Sequence, residues 1–221
     1  MKKFTFFVFA TLVVSAINAQ FKAGETYLTG SVSLNSDKTT SPSSPDIKSF
    51  GFEFSPAFIK FNTDKKATGF RFISGYSKSN TTFGITLQEA KQYTIGAGIF
   101  AHQYYSLGNN FYFLLEPGAS FTYGSGKNVT TSVSTVTTTE NKIYGVRAYL
   151  TPGIGYKLTD RFFMNLNFNN ILALSYIHQD SKTTVMNNTT TSKSNSFGFQ
   201  SSLNNTSVGN LGITFGWRLN K

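Results

Sequence analysis

Side chains able to act as acid, base or metal ligand are few in this chain and widely spaced. There are two histidines, His102 and His178, and no cysteine. His178 precedes Asp180 and Ser181, a grouping that contains a base, an orienting carboxylate and a hydroxyl, the parts a hydrolase needs. It falls in a polar connection rich in Ser, Thr and Asn, where a chance grouping accounts for it better. His102 lies near a turn at Leu107–Asn109, at the opposite end of the structure from His178. Two distant histidines without a thiolate do not make a usual zinc ligand set. The expectation is no catalytic residue, no metal and no cofactor.

A second constellation is electrostatic. Glu53, Arg71, Glu116 and Arg147 each fall on the polar side of a segment whose alternate residues are apolar. Two acids and two bases on one kind of face suggest a salt-bridge network or a path for protons or ions. In a narrow barrel side chains just fill the interior, so the network reading is favoured, with the charges pairing and plugging the lumen.

The elements that hold these charges are strands. In Phe111–Thr122, FYFLLEPGASFT, the odd positions are apolar while the even ones include Tyr112, Glu116, Ser120 and Thr122. A period of two is strand geometry. The same alternation predicts eight strands, at about 26–34, 49–61, 68–78, 93–105, 111–123, 143–156, 162–177 and 207–219. Each is long enough for a tilted membrane strand of about 9–11 residues. The glycines on the charged face, Gly51, Gly75, Gly96, Gly98, Gly118, Gly153 and Gly155, leave room for a narrow closed ring.

The connections alternate in length. Those at 62–66, 106–110 and 158–161 are tight and built of turn residues, while those at about 35–48, 79–92, 124–142 and 178–206 are long and polar. Short turns at one rim and long loops at the other form the pattern of an outer-membrane barrel. The predicted fold is therefore all-β, an eight-stranded antiparallel up-and-down transmembrane β-barrel with long extracellular loops and short periplasmic turns. A soluble lipocalin-like barrel has the same strand count, but its apolar face turns inward, where four ionised groups do not belong. Tyr27, Tyr76, Tyr93, Tyr123, Tyr144, Tyr156, Tyr176 and Trp217 lie near strand ends, as aromatic girdles require.

Lys2 and Lys3 precede an apolar run from Phe4 to Ile17, and Ile17-Asn18-Ala19 makes a cleavage site, so residues 1–19 read as a signal peptide and 20–221 as one barrel domain. The run holds roughly 14 apolar residues, short of the ~20 that a spanning helix needs. The formal charge is +10, and removing Lys2 and Lys3 leaves +8. An exported basic chain could meet anionic lipid head groups or a polyanion, but the remaining lysines are scattered over polar connections with acids among them, which argues against a nucleic-acid footprint and favours a solvated loop surface.

Four stretches carry a resemblance: residues 50–70, FGFEFSPAFIKFNTDKKATGF; residues 95–124, IGAGIFAHQYYSLGNNFYFLLEPGASFTYG; residues 149–166, YLTPGIGYKLTDRFFMNL; and residues 211–219, LGITFGWRL. Through them the chain resembles small outer-membrane β-barrel proteins of Bacteroidota, with an architecture like the OmpA barrel and OmpX. The resemblance implies a monomer in the cell outer membrane, in contact with outer-membrane lipids and lipopolysaccharide. It specifies architecture rather than activity, and no motif of a lipid A deacylase or omptin protease accompanies it.

The expected role is structural or surface-interacting and non-catalytic. A surface ligand would meet loops 124–142 and 178–206, whose β-prone Thr, Ser and Val runs could extend strands beyond the membrane and capture a partner by strand addition. The same composition also suits hydrated, disordered loops. A small transport pore and a lipid-modifying enzyme are the next alternatives, followed by a soluble periplasmic binding barrel.

Overall fold

The computed structural model describes residues 21–41, 44–168, 171–201 and 211–220. The expected signal peptide, and residues 202–210 with the start of the last predicted strand, lie outside the described residues. Ten strands follow in order: β1 (Thr26–Ser41), β2 (Ser44–Thr63), β3 (Lys66–Phe83), β4 (Thr86–Gly108), β5 (Phe111–Thr131), β6 (Val136–Lys157), β7 (Phe162–Phe168), β8 (Leu172–Val185), β9 (Asn188–Ser201) and β10 (Leu211–Arg218). All pairings are antiparallel. The ladder runs from β1 through β6, and β6 then pairs with both β7 and β8, at its two ends. β9 pairs with β8, β10 with β7, and β10 closes the ring on β1. β7 with β8, and β9 with β10, thus each form one stave. Ten strands build a closed ring of eight staves, the predicted all-β barrel.

Alternation decides what faces outward. Phe50, Phe52, Phe54, Phe70, Phe72, Ile95, Ile99, Phe121, Val146, Phe215 and Trp217 are all exposed, while their sequence neighbours point into the ring. Exposed apolar area on this scale is far beyond what a water-soluble monomer carries. Two aromatic belts bound it. Tyr76 packs on Tyr93 and Tyr123 on Tyr144 toward one rim; Phe111 packs on Tyr156 and Phe162 on Trp217 toward the other. From Phe111 to Tyr123 is 12 steps along β5, about 30 Å along the axis of a barrel whose strands tilt by about 40°. That matches the apolar thickness of a bilayer.

Turn chemistry separates the rims. The β4–β5 turn places Asn109 and Asn110 at φ 48° and 67° after Gly108 at φ 90°, the left-handed conformations that a tight hairpin requires and that Asn and Gly tolerate. At the opposite rim the structure refines the expected long loops. β3 and β4 are separated only by residues 84–85, and β5 and β6 only by 132–135, while β8 and β9 meet at 186–187. The Thr-, Ser- and Lys-rich residues between continue the cross-strand register as paired ladder. Their polarity marks where the strands leave the apolar zone, rather than where pairing stops.

The core lies inside the ring, at the tight-turn end. Phe21 is 1% exposed and inserts among Phe61, Tyr104, Tyr112, Phe163 and Tyr27, at centroid separations of 4.4, 4.8, 5.3, 5.6 and 5.8 Å. The backbone anchors this inserted segment: Gly24 N donates to Phe61 O, and Phe61 N donates to Glu25 O. Room for the rings comes from glycine. A Cβ on Gly216 would stand 2.1 Å from the Phe163 ring, and one on Gly155 would stand 2.2 Å from Tyr112.

Candidate functional site

Stacked on the aromatic plug is a layer of buried charge. Register sets Arg71 of β3 opposite Gly98 of β4, with Ser120 of β5 and Arg147 of β6 next in the same row. The Arg71 guanidinium reaches Glu116 at 2.5 Å and lies 4.4 Å above the Phe100 ring. Glu116 is 6% exposed and its second oxygen contacts His102 Nε2 at 2.7 Å; the other ring nitrogen of His102 contacts the Tyr104 hydroxyl at 2.7 Å. A chain of polar groups therefore links Arg71 through Glu116 and His102 to the plug. Beside it remains a cavity of about 70 Å³, lined by Thr29, Ser55, His102, Glu116, Asn165 and others. That is space for roughly two waters.

Of the four charges expected to form an interior network, the structure joins Arg71 directly to Glu116. Glu53 is exposed and accepts a hydrogen bond from Ser55 Oγ at 3.3 Å, nearer the long-hairpin rim. Arg147 shares the row of Arg71 on the inner face. His102, read from the sequence only as lying near the tight turn, is the member that was given no partner. Its signal is parity: His102 and Tyr104 share the inward phase of β4, as Tyr112 and Glu116 share that of β5.

A second pair went unrecognised. Glu25, 3% exposed, accepts from Arg218 Nη1 at 2.8 Å and from the Tyr27 hydroxyl at 2.9 Å. The Asn220 side chain accepts from Thr26 N and donates to Gly24 O, so the beginning and end of the barrel are clasped together. Tyr27 corrects an expectation. It was assigned to an aromatic girdle, but it is fully buried, because its phase on β1 is opposite that of outward Leu28.

The trio His178, Asp180 and Ser181 separates across the wall of β8. His178 Nε2 lies 3.4 Å from Asp180 and Nδ1 contacts Asn195 Oδ1 at 2.7 Å, whereas Ser181, in the opposite phase, donates to Asn141 Oδ1 at 2.6 Å. No group of three His, Cys, Asp or Glu side chains able to hold a metal occurs among the described residues.

The remaining candidate surface is the projecting ladder. β8 runs nine steps beyond Tyr176, about 23 Å along the axis at the same tilt. β9 is exposed along nearly its whole length and, among the described residues, is paired on one edge only, to β8. The part of β1 beyond Gly30 is likewise paired only to β2. The tyrosine level meets β1 at Leu34, through Phe52 and Tyr76, and β9 at Phe197, opposite Tyr176, so above the belt residues 35–41 of β1 and 188–196 of β9 each keep one edge unpaired among the described residues.

No protein-family profile and no curated protein matches the chain. Among solved structures it is similar to the outer membrane protein OprG from Pseudomonas aeruginosa, at 12% identity and a TM-score of 0.47 over 93% of this chain and 100% of that one. It is also similar to the outer membrane protein AlkL in lipid bilayers, at 12% identity and a TM-score of 0.30 over 94% and 97% of the two chains. A third similarity, to the ferric yersiniabactin uptake receptor FyuA from Yersinia pestis, has 12% identity and a TM-score of 0.38 over 71% of this chain and 25% of that one.

Proposed function

We propose that the chain is a non-catalytic outer-membrane β-barrel that presents a rigid, strand-built surface outside the cell. The observation that carries this reading is the paired ladder above the tyrosine belt, which ends in tight hairpins and, among the described residues, leaves one edge each of β1 and β9 unpaired. Free edges recruit partners by strand addition: main-chain hydrogen bonds supply affinity and alternate side chains supply specificity. The apolar outer face, bounded by two aromatic belts, supports insertion in a bilayer. The interior supports a scaffold over a conduit, because plug and charge layer together fill the lumen.

Two measurements test the reading. Heat-modifiable gel migration of the membrane fraction reports a closed, membrane-inserted barrel; recovery of the protein in the soluble extract would refute it. Deleting residues 182–194 removes the end of β8 and the half of β9 that projects farthest, with its unpaired edge, and surface binding of cells to host or neighbouring-cell ligands should fall; unchanged binding would sink the recognition role.

A further inference from the structure

Charge is absent from the far end of the projecting ladder. Residues 79–88, 128–139 and 183–192 hold no acidic, basic or histidine side chain, in a chain that is 14% charged. Each stretch is the end of one hairpin, β3–β4, β5–β6 or β8–β9. Charge brackets each of them at once: Lys78 and Glu89, Lys127 and Glu140, Lys182 and Lys193. Facing positions join these residues into a collar of mixed sign, with Lys127 opposite Glu140 and Glu140 opposite Lys182. Above the collar the shoulders of the hairpins are Thr, Ser and Asn, and the apices are apolar.

Phe83 and Ile85, Val133, and Met186 stand at the three apices, between 62% and 77% exposed. Turn geometry puts them there. Gly84, at φ 56°, reverses the chain between Phe83 and Ile85 and leaves both at the tip. Met186 adopts φ 54°, a left-handed conformation that Asn and Gly fill with less strain. Two asparagines fill it in the β4–β5 turn at the opposite rim, whereas the β8–β9 turn keeps an apolar side chain there although Asn187 is next in the chain. The barrel's own bilayer lies far below. Phe83 is seven steps beyond Tyr76 and Val133 ten beyond Tyr123, about 18 and 25 Å above the belt. Pairing between the hairpins runs nearly to their ends, with Leu87 opposite Thr131 and Thr137 opposite Val185. One stiff sheet therefore carries all three apices and holds them away from the membrane it grows from.

Spacing and depth identify the occupant. A protein partner meets a contiguous apolar core inside a polar rim. Here neighbouring apices are two strands apart, about 10 Å, with hydroxyl and amide side chains between them. Separate wedges suit a surface that flows around them, and the hydroxyls between suit the ester and phosphodiester oxygens of lipid. From collar to apex is four to seven strand steps, about 10–18 Å. That is enough to cross one head-group layer of about 5–8 Å and set the apices at the acyl boundary, where interfacial segments bury their apolar faces. The ionised collar then stays in water.

We propose that these three hairpin tips insert into the lipid surface of an opposing membrane, with Phe83, Ile85, Val133 and Met186 as the inserting side chains. The proposal rests on the outer-membrane reading above and names a partner for the projecting surface that uses neither unpaired strand edge.

The test uses the full mature barrel in lipid nanodiscs, mixed with protein-free phosphatidylcholine vesicles and read by co-sedimentation. The wild type should bind the vesicles, and equally well at about 0.1 M and about 0.5 M salt, because no charge takes part. The quadruple variant Phe83→Ser, Ile85→Ser, Val133→Ser, Met186→Ser should bind at least about tenfold more weakly while keeping heat-modifiable migration. Val133→Trp should bind, and its emission should be quenched by brominated phosphatidylcholine placed in the vesicles alone. Vesicle binding by the Ser variant equal to wild type, an unquenched tip tryptophan, or loss of binding at the higher salt would overturn the proposal. So would a wild type that ignores bare vesicles and binds cells only until protease strips their surface proteins, which would assign the tips to a protein partner. Strand-edge recognition is read separately, because the Ser variant leaves both edges intact. A wild type that shows heat-modifiable migration yet fails the vesicle comparisons refutes the inserting tips alone. One that shows no such migration refutes the barrel reading and the tips with it.

Discussion

Replacing Phe21 by alanine probes the interior most directly, because this one side chain seals the tight-turn end of the barrel. Its ring is 1% exposed and touches five other aromatic rings, the nearest, Phe61, stacked at 4.4 Å and 16°. Truncating a buried Phe to Ala costs about 3–5 kcal/mol, the spread reflecting how well the site collapses around the void. Here the segment that carries Phe21 is short and its next three residues, Lys22 to Gly24, are exposed, so it yields more readily than a mid-strand position. The expected loss is therefore about 3 kcal/mol, toward the lower end of that range. Urea unfolding of the barrel refolded in lipid, followed through the single tryptophan, Trp217, measures it. Phe83→Ala, at the tip of β3 and 62% exposed, serves as the control and should shift stability by about 0.5 kcal/mol or less. A loss below about 1 kcal/mol for Phe21→Ala would refute the plug, since a ring so enclosed cannot leave without forfeiting its transfer energy.

Other consequences follow from the same interior. Glu116→Ala strips Arg71 and His102 of their shared acceptor, and breaking one side of a largely buried ion pair should cost about 3 kcal/mol; equal stability of Glu116→Ala and wild type in the urea assay would remove the network from the account. Gly155→Val places a branched side chain where a Cβ alone would meet the Tyr112 ring at 2.2 Å. An overpacking cost of about 1–3 kcal/mol should appear as a reduced folded fraction on unheated gels, and full refolding would contradict the packing described. Planar-bilayer recordings of the wild type should show no stable conductance, because the aromatic plug around Phe21 and the Arg71–Glu116–His102 layer stand across the lumen; steady open steps of porin size would overturn the filled-lumen reading.

The fold was legible because membrane and lumen impose opposite demands on alternate residues. Phe50, Phe52 and Phe54 on one side and Glu53 and Ser55 on the other admit no helix and no fully apolar strand. The inward phase of Arg71 and Glu116 was readable for the same reason. Their partnership with His102 was not, since it depends on the stagger that sets Arg71 beside Gly98 and brings β3, β4 and β5 to a common level. Phe21 was invisible because it precedes the first strand and so has no phase to read. The upper ladder was under-read for a chemical reason: Thr, Ser, Asn and Lys are turn and loop residues in water, yet once strands are paired through the bilayer, continuing the register is cheaper than ending it. That β7 shares a stave with β8, and β9 with β10, also lay outside what periodicity reports.

The clasp between the two ends of the barrel bears on how the molecule forms. The ring closes through four facing pairs, from Tyr27–Arg218 to Gly30–Phe215, whereas β1 and β2, neighbours in sequence, share fifteen. Hairpin ladders of that kind assemble from local contacts, but the bond from Thr26 N to Asn220 spans 194 positions. Contacts of such separation dominate the slow phase of folding, and here they join the first and last staves of the ring. Until Arg218 and Asn220 engage Glu25 and Thr26, the sheet keeps two open edges. The two residues act as a latch, and substituting both should leave a kinetically stranded sheet that stays exposed to aggregation and proteolysis.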